Sequence, residues 1–255
     1  MERLYWTVVQ LEEAKRLVKQ GDVAHLRLAL ILLDNAVEVM MHRVIEGKLQ
    51  YANMYARMVE NFPEEPLDPE GEKIRRDLSL EVVPLKQQKQ IRRIFGEKIL
   101  FLSKDHDCIP GPSARALRHL HDYRNETQHQ DQVRSESIRP AVLILFDIAT
   151  DLLVRLQPGT TSWVGGENYD WLKRYGIRNN PRRIHMSEEI HPRIAKKLRS
   201  GLPLDAEGIR AALIAHLTDR LDAMENQLDF VSENTKGQDR TQTLKSIQSW
   251  QPGTR

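Results

Sequence analysis

The chain has 255 residues, of which 40% are apolar, 29% charged and 6% aromatic, and its formal net charge is +2. This balance fits a helical chain with a core of ordinary size, and so small a charge does not by itself indicate a nucleic-acid partner. A single cysteine, Cys108, excludes an intrachain disulfide and suggests a reducing compartment.

Met1 to Gln20 carries Glu2, Glu12 and Glu13 and no apolar run, so no secretory signal is expected and the compartment read from the sequence is the cytoplasm. An amphipathic helix is expected from about Trp6 to Lys19, closed by Gly21-Asp22. From Leu26 the apolar positions Leu26, Leu30, Leu33, Val37, Met40 and Val44 alternate by fours and threes, which is a helix seam. Leu28, Ile31, Leu32 and Val39 add apolar surface on other faces, so this helix is expected to be central. A further helical segment spans about Gln50 to Glu60, and "FPEEPLDPEGE" reads as a breaker.

A basic helix is expected near Lys86 to Ser103, stopped by "IPGPS", with Ser113 as N-cap of the next helix. That helix runs into "DYRNETQHQ", Asp122 to Gln130. "RSESIRP" then offers Ser137 as an N-cap with Pro140 in the first turn. The helix to about Leu156 has its seam at Val142, Leu145, Ala149, Leu152 and Leu156. Within it "AVLILFDIATDLLV" is the longest apolar stretch, but Asp147 and Asp151 break it short of the roughly 18 residues that a membrane helix needs. Beyond "QPGTTS" lies a turn-rich aromatic stretch, then helices near Ser187 to Arg199 and Ala206 to Val231, and a polar tail from Ser232. The fold class is therefore all-α, with a bundle over 1–157, a basic helical extension over 158–231 and a tail expected to be flexible over 232–255.

The chemistry of interest sits at the end of the 113–130 helix. Its core-facing stripe reads Leu117, His121, Arg124, Gln128, apolar at first and then polar. An arginine continuing a buried face needs an anion, because an unpaired buried charge is costly. Asp34, Glu38 and His42 stand at four-residue steps along the seam helix and can supply one. Arg124 and His129 are five apart, about 140° around an ideal helix, so a straight helix cannot aim both at one point. Either the helix frays there, or the site is shared across a two-fold axis between two copies.

Helices around Arg124, Asn125 and His129, an arginine, a polar residue and a histidine four residues later, resemble the HEPN superfamily of helical ribonucleases. The resemblance covers about Asp22 to Gln157. It implies a helical bundle, a homodimer with the motifs facing each other, and RNA cleavage by the 2′-hydroxyl without a metal or cofactor. It also implies an acidic residue that supports the arginine, for which Glu38 is the first candidate and Asp34 the reserve. Gln130 follows the histidine, where many members carry a small residue. Toxin and phage-defence systems are the setting implied, with an antitoxin or a nucleotidyltransferase as partner. Arginine-to-histidine gaps of this class also occur at Arg115–His121, Arg210–His216 and Arg178–His185, so placement between two long helices is what distinguishes the motif.

RNA contacts are expected from basic runs near aromatics: Lys173, Arg174, Arg178, Arg182 and Arg183 in the extension, and Arg92 and Arg93 in the bundle. Trp163, Tyr169, Trp171 and Tyr175 either stack bases or dock the extension. "HLHD" and "DHDC" lack a second cluster at metal-ligand spacing, so no metal site is expected. The competing readings are a catalytically inactive HEPN-like module that binds RNA or a nucleotide, and a helical protein-interaction adaptor.

Overall fold

A computed structural model describes residues 2–63, 68–129, 135–158, 170–177 and 187–234, together with 241, 242 and 245. The protein is all-α, and the described residues contain no strand. The helices are α1 (Glu2–Gln20), α2 (Val23–Glu60), α3 (Pro69–Leu80), α4 (Leu85–Arg93), α5 (Phe95–Leu100), α6 (Gly111–His129), α7 (Ser135–Leu156), α8 (Ser187–Arg199) and α9 (Ala206–Asn234). A π-helical turn, Phe101–Asp105, continues α5, and a 3₁₀ helix, Asp170–Tyr175, precedes α8. No described helix is long and apolar enough to cross a membrane.

The centre of the molecule is α2. Asp22 caps it by accepting a hydrogen bond from the His25 backbone N–H at 3.2 Å, and this bond, with the adjacent His25 ring, holds the Asp22 carboxyl below its ordinary value. The helix then runs for 38 residues, about 57 Å at 1.5 Å per residue. Gly47 does not interrupt it, and the two helical segments read from the sequence are one rod. The seam positions Leu26, Leu30, Leu33, Val37 and Met40 are buried, Val44 is only half-buried, and the buried stripe continues instead through Ile45 and Leu49. α1 lies along one side, where Arg43 donates to the Thr7 hydroxyl at 2.8 Å and to the Arg3 carbonyl at 2.5 Å. α7 lies along the other side and buries Val142, Leu145, Phe146, Ala149 and Leu152.

Described parts of the 158–231 segment share this core. Leu172, Tyr175 and Ile177, and then Ile190, Ile194 and Leu198 of α8, belong to the same apolar cluster as α1, α2 and α7. Burial and a hydrogen bond to Glu12 push the Tyr175 phenol well above its ordinary value, and Arg174 pairs with the same carboxylate at 2.8 Å. Trp171 and Tyr175 pack edge to face, and Trp171 also meets Tyr5 of α1. These two aromatics dock the extension; Trp163 and Tyr169 lie outside the described residues.

Several boundaries differ from the sequence reading. α3 falls on the end of the stretch read as a breaker. Asp68 caps it through the Gly71 N–H at 2.7 Å, and Pro69 occupies the first turn, where its missing N–H costs nothing. The single basic helix expected over 86–103 is split at Ile94, whose extended backbone ends α4 and starts α5. α6 begins at Gly111 and α7 at Ser135, so Ser113 and Ser137 sit inside first turns and not at caps, and Pro140 stands more than one turn into α7.

Candidate functional site

The site lies where the C-terminal half of α6 crosses the N-terminal half of α2. Leu117, only 1% exposed, anchors α6 in the core. One turn later His121 lies flat on Phe95, with ring centroids 3.7 Å apart and an interplanar angle of 6°. After one further turn comes Arg124. The anion that faces both is Asp34, whose side chain is 1% exposed, against 18% for His121 and 18% for Arg124. His121 Nδ1 lies 3.0 and 3.2 Å from the two Asp34 oxygens. Arg124 donates from Nε to Asp34 Oδ2 at 2.8 Å and from Nη2 to the same oxygen.

The other edge of the guanidinium is held by its own helix. Nη1 donates to Asn125 Oδ1 at 2.9 Å and to Gln128 Oε1 at 3.1 Å. A guanidinium has five N–H donors, and these contacts engage four of them. The remaining Nη2 hydrogen is the one available to a ligand without rearrangement. α6 is tied to α2 a second time below this point, where Arg27 donates to the Thr127 carbonyl at 2.7 Å. Thr127 is buried and its hydroxyl bonds back to the Arg124 carbonyl at 2.8 Å, which fixes the last turn of the helix.

The arginine thus has the buried acid that its position required, but it is Asp34. Glu38, the first candidate, is taken by Lys98 of α5, whose ammonium is buried and donates to Glu38 Oε1 at 2.5 Å. Glu38 stands one turn farther along α2, beside α5 and not beside the end of α6. The third residue of that line, His42, lies 4.0 Å from Glu46, which pairs with Arg92 at 2.8 Å. The whole line is therefore a polar stripe on α2, each acid matched to a cation from α4, α5 or α6. Lys98 and Phe95 were not singled out by the sequence reading. Lys98 lies in a run that reads as a solvated basic face, and the signal that it is buried is the apolar spacing Phe95, Ile99, Leu102 around it.

An Asp34 carboxylate at Nδ1 places the neutral imidazole's proton there, leaving Nε2 of His121 with its lone pair. The cluster is thus a buried carboxylate that orients both an imidazole and a guanidinium. His129 closes α6, and its side chain lies outside the described residues. The structure accordingly brings Arg124, Asn125, Asp34 and His121 together, and keeps Glu38 apart from Arg124.

Among the RNA-contact residues, Lys173 is paired with Asp170 at 2.7 Å, Arg174 with Glu12, and Arg92 with Glu46. Arg93 is exposed on α4. Arg178, Arg182 and Arg183 lie outside the described residues. Among the described residues no group of three or more His, Cys, Asp or Glu could hold a metal ion. An open cleft lined by Lys48, Tyr51, Tyr55, Phe101 and His106 lies elsewhere, with Tyr51 about 25 Å along α2 from Asp34. Comparison with protein-family models, with curated proteins and with solved structures gave no match.

Proposed function

We propose that this chain is a metal-independent endoribonuclease of the HEPN type, working in the cytoplasm as a toxin or phage-defence effector. The observation that carries the reading is the Asp34–Arg124–Asn125 cluster: a guanidinium fixed by a buried carboxylate with one Nη2 hydrogen left for a ligand, five residues before the histidine that ends the same helix. A fixed guanidinium stabilises the charge that grows on a phosphorane as the 2′-hydroxyl attacks phosphorus, leaving a 2′,3′-cyclic phosphate and a 5′-hydroxyl. An imidazole, whose free-solution pKa is about 6.5, is the side chain type that can move protons at neutral pH, and that role is given to His129. Asn125 orients the guanidinium. The five-residue gap between Arg124 and His129 is met by pairing two copies with their motifs across a two-fold axis, so the active species is a homodimer acting on RNA. An antitoxin or a nucleotidyltransferase is the partner class that suits such an activity.

One observation favours a second reading, a catalytically inactive module that binds RNA or a nucleotide: the chain's own Asp34, Asn125 and Gln128 already engage most of the Arg124 donors. Growth on induced expression separates the two. The native chain should arrest growth and the His129→Ala chain, expressed to the same level, should not. Equal growth with both chains would remove the toxin reading.

A further inference from the structure

His121 has one ring nitrogen that the fold does not use. It stands one turn before Arg124 on α6, and its Nδ1 shares the Asp34 carboxylate with the guanidinium, at 3.0 and 3.2 Å from the two oxygens. Phe95 fixes the plane of the ring by stacking on it at 3.7 Å. The extended backbone of Ile94 ends α4 and restarts the chain as α5, and the first side chain of α5 is this Phe95, buried at 7% exposure. Asp34 and Phe95 together set the tautomer and the tilt of the imidazole. Nε2 makes no hydrogen bond to any described residue, and it is not sealed from solvent. For a purely structural partner of Asp34 an open second nitrogen has no use. For a proton carrier it is the working atom.

Cleavage by 2′-hydroxyl attack moves two protons. One leaves the 2′-oxygen as that oxygen bonds to phosphorus. The other must reach the 5′-oxygen as its bond to phosphorus breaks. The two oxygens stand roughly in line, on opposite sides of the phosphorus. One imidazole cannot stand beside both, so with His129 at the attacking oxygen a second carrier is needed at the leaving one. The open Nη2 hydrogen of Arg124 suits the equatorial oxygens, where charge grows. His121 is held beside that guanidinium by the same carboxylate.

We propose that His121 is the general acid of the reaction, giving a proton from Nε2 to the departing 5′-oxygen while Asp34 keeps the proton on Nδ1. This rests on the ribonuclease reading and adds a residue to it. The 2′-oxygen–phosphorus bond forms as the 2′-hydroxyl proton passes to His129. The phosphorus–5′-oxygen bond breaks as Nε2 gives up its proton, and the products are the 2′,3′-cyclic phosphate and the 5′-hydroxyl. His121 ends neutral and His129 protonated, and proton exchange with water restores both. One buried carboxylate thus sets the spacing between the group on the equatorial oxygens and the group on the leaving one.

The test varies the leaving atom. A linkage that the native chain cuts in mixed RNA is mapped, and an RNA oligonucleotide carrying it is made twice, with oxygen or with sulfur at the 5′ bridging position. A thiolate departs without a proton, because a thiol has a pKa of about 8.5 whereas an oxygen leaving group resembles water, at about 15.7. His121→Ala should slow the oxygen substrate about a hundredfold, which leaves cleavage measurable, and the sulfur substrate by less than about fivefold. His121→Asn keeps an N–H donor for Asp34 but has no proton to give at neutral pH. It should show the same split, and it serves where alanine disturbs the stack on Phe95. His129→Ala should lose both substrates. Equal slowing of the two substrates by His121→Asn would give His121 a structural role and overturn the proposal, as would undiminished cleavage of the oxygen substrate. A native chain that cuts no linkage in mixed RNA would remove the ribonuclease reading and the general acid with it, so a failure confined to His121 is told apart from a failure of the whole reading.

Discussion

Replacing Asp34 with alanine is the sharpest probe of how the site is held. Asp34 is 1% exposed and is the acceptor for both His121 Nδ1 and two nitrogens of Arg124. Removing one partner of a buried, hydrogen-bonded ion pair costs about 3–5 kcal/mol, because the remaining charge is left desolvated. Arg124 and His121 are each 18% exposed, and Arg124 keeps Asn125 and Gln128, so both regain some hydration. The lower end of the range, about 3 kcal/mol, is therefore expected. For a chain of this length that lowers the melting temperature by roughly 6–12 °C. Asp34→Asn keeps one acceptor but turns an amide N–H toward a donor, and should cost about 2 kcal/mol. Urea unfolding followed by far-UV circular dichroism measures both. The Asp34→Ala, Arg124→Ala cycle should give a coupling of at least about 1 kcal/mol. A loss within about 0.5 kcal/mol for Asp34→Ala, with no coupling to Arg124, would refute the argument that this carboxylate fixes the arginine.

Three further outcomes follow from the same geometry. Glu38→Ala strands the buried Lys98 ammonium and should cost about 3 kcal/mol, whereas Lys98→Met frees a half-buried carboxylate to hydrate and should cost about 1 kcal/mol or less; equal losses in urea unfolding would contradict the pairing. The Tyr175 phenol is raised, so above the ordinary phenol pKa of about 10 the unfolded chain loses its proton while the folded chain keeps it, and stability must fall as pH rises from there through the raised folded value. Tyr175→Phe should remove that alkaline slope from the urea midpoints, and an unchanged slope would assign it elsewhere. Deleting residues 160–255 removes Ile190, Ile194 and Leu198 from the core shared with α7, so the truncated chain should lose its cooperative unfolding transition; a sharp native-like melt would show that 1–157 folds alone.

The seams of α2 and α7 were legible because their apolar residues repeat at the helical period, and every position named for α7 is buried. α3 was not, because its start signal, Asp68-Pro69, lies in a proline-rich stretch and the helix buries no side chain, so it carries no core periodicity. That Arg124 requires an acid from α2 could be read from its place on a buried stripe. Which acid could not: Asp34 and Glu38 share one line on α2, and the choice depends on how far along α2 the end of α6 lands and on Lys98 arriving from α5. These are tertiary offsets with no local sequence signal. The orientation of Asn125 toward Arg124 was equally hidden, since adjacent residues on a helix do not ordinarily face each other.

Cleavage of a mixed RNA substrate in excess EDTA, compared between the native chain and Arg124→Lys, His129→Ala and His121→Ala, tests the central claim most directly. The native chain should cut and leave 2′,3′-cyclic phosphate ends. His129→Ala should be inactive yet folded, and Arg124→Lys should also be inactive, because an ammonium with three donors cannot replace the planar contacts to Asp34, Asn125 and Gln128 and still offer a donor to the phosphorane. His121→Ala should retain measurable cleavage. Undiminished cleavage by His129→Ala, or a strict requirement for a divalent metal, would contradict the assignment and return Arg124, Asn125 and His129 to a purely structural role.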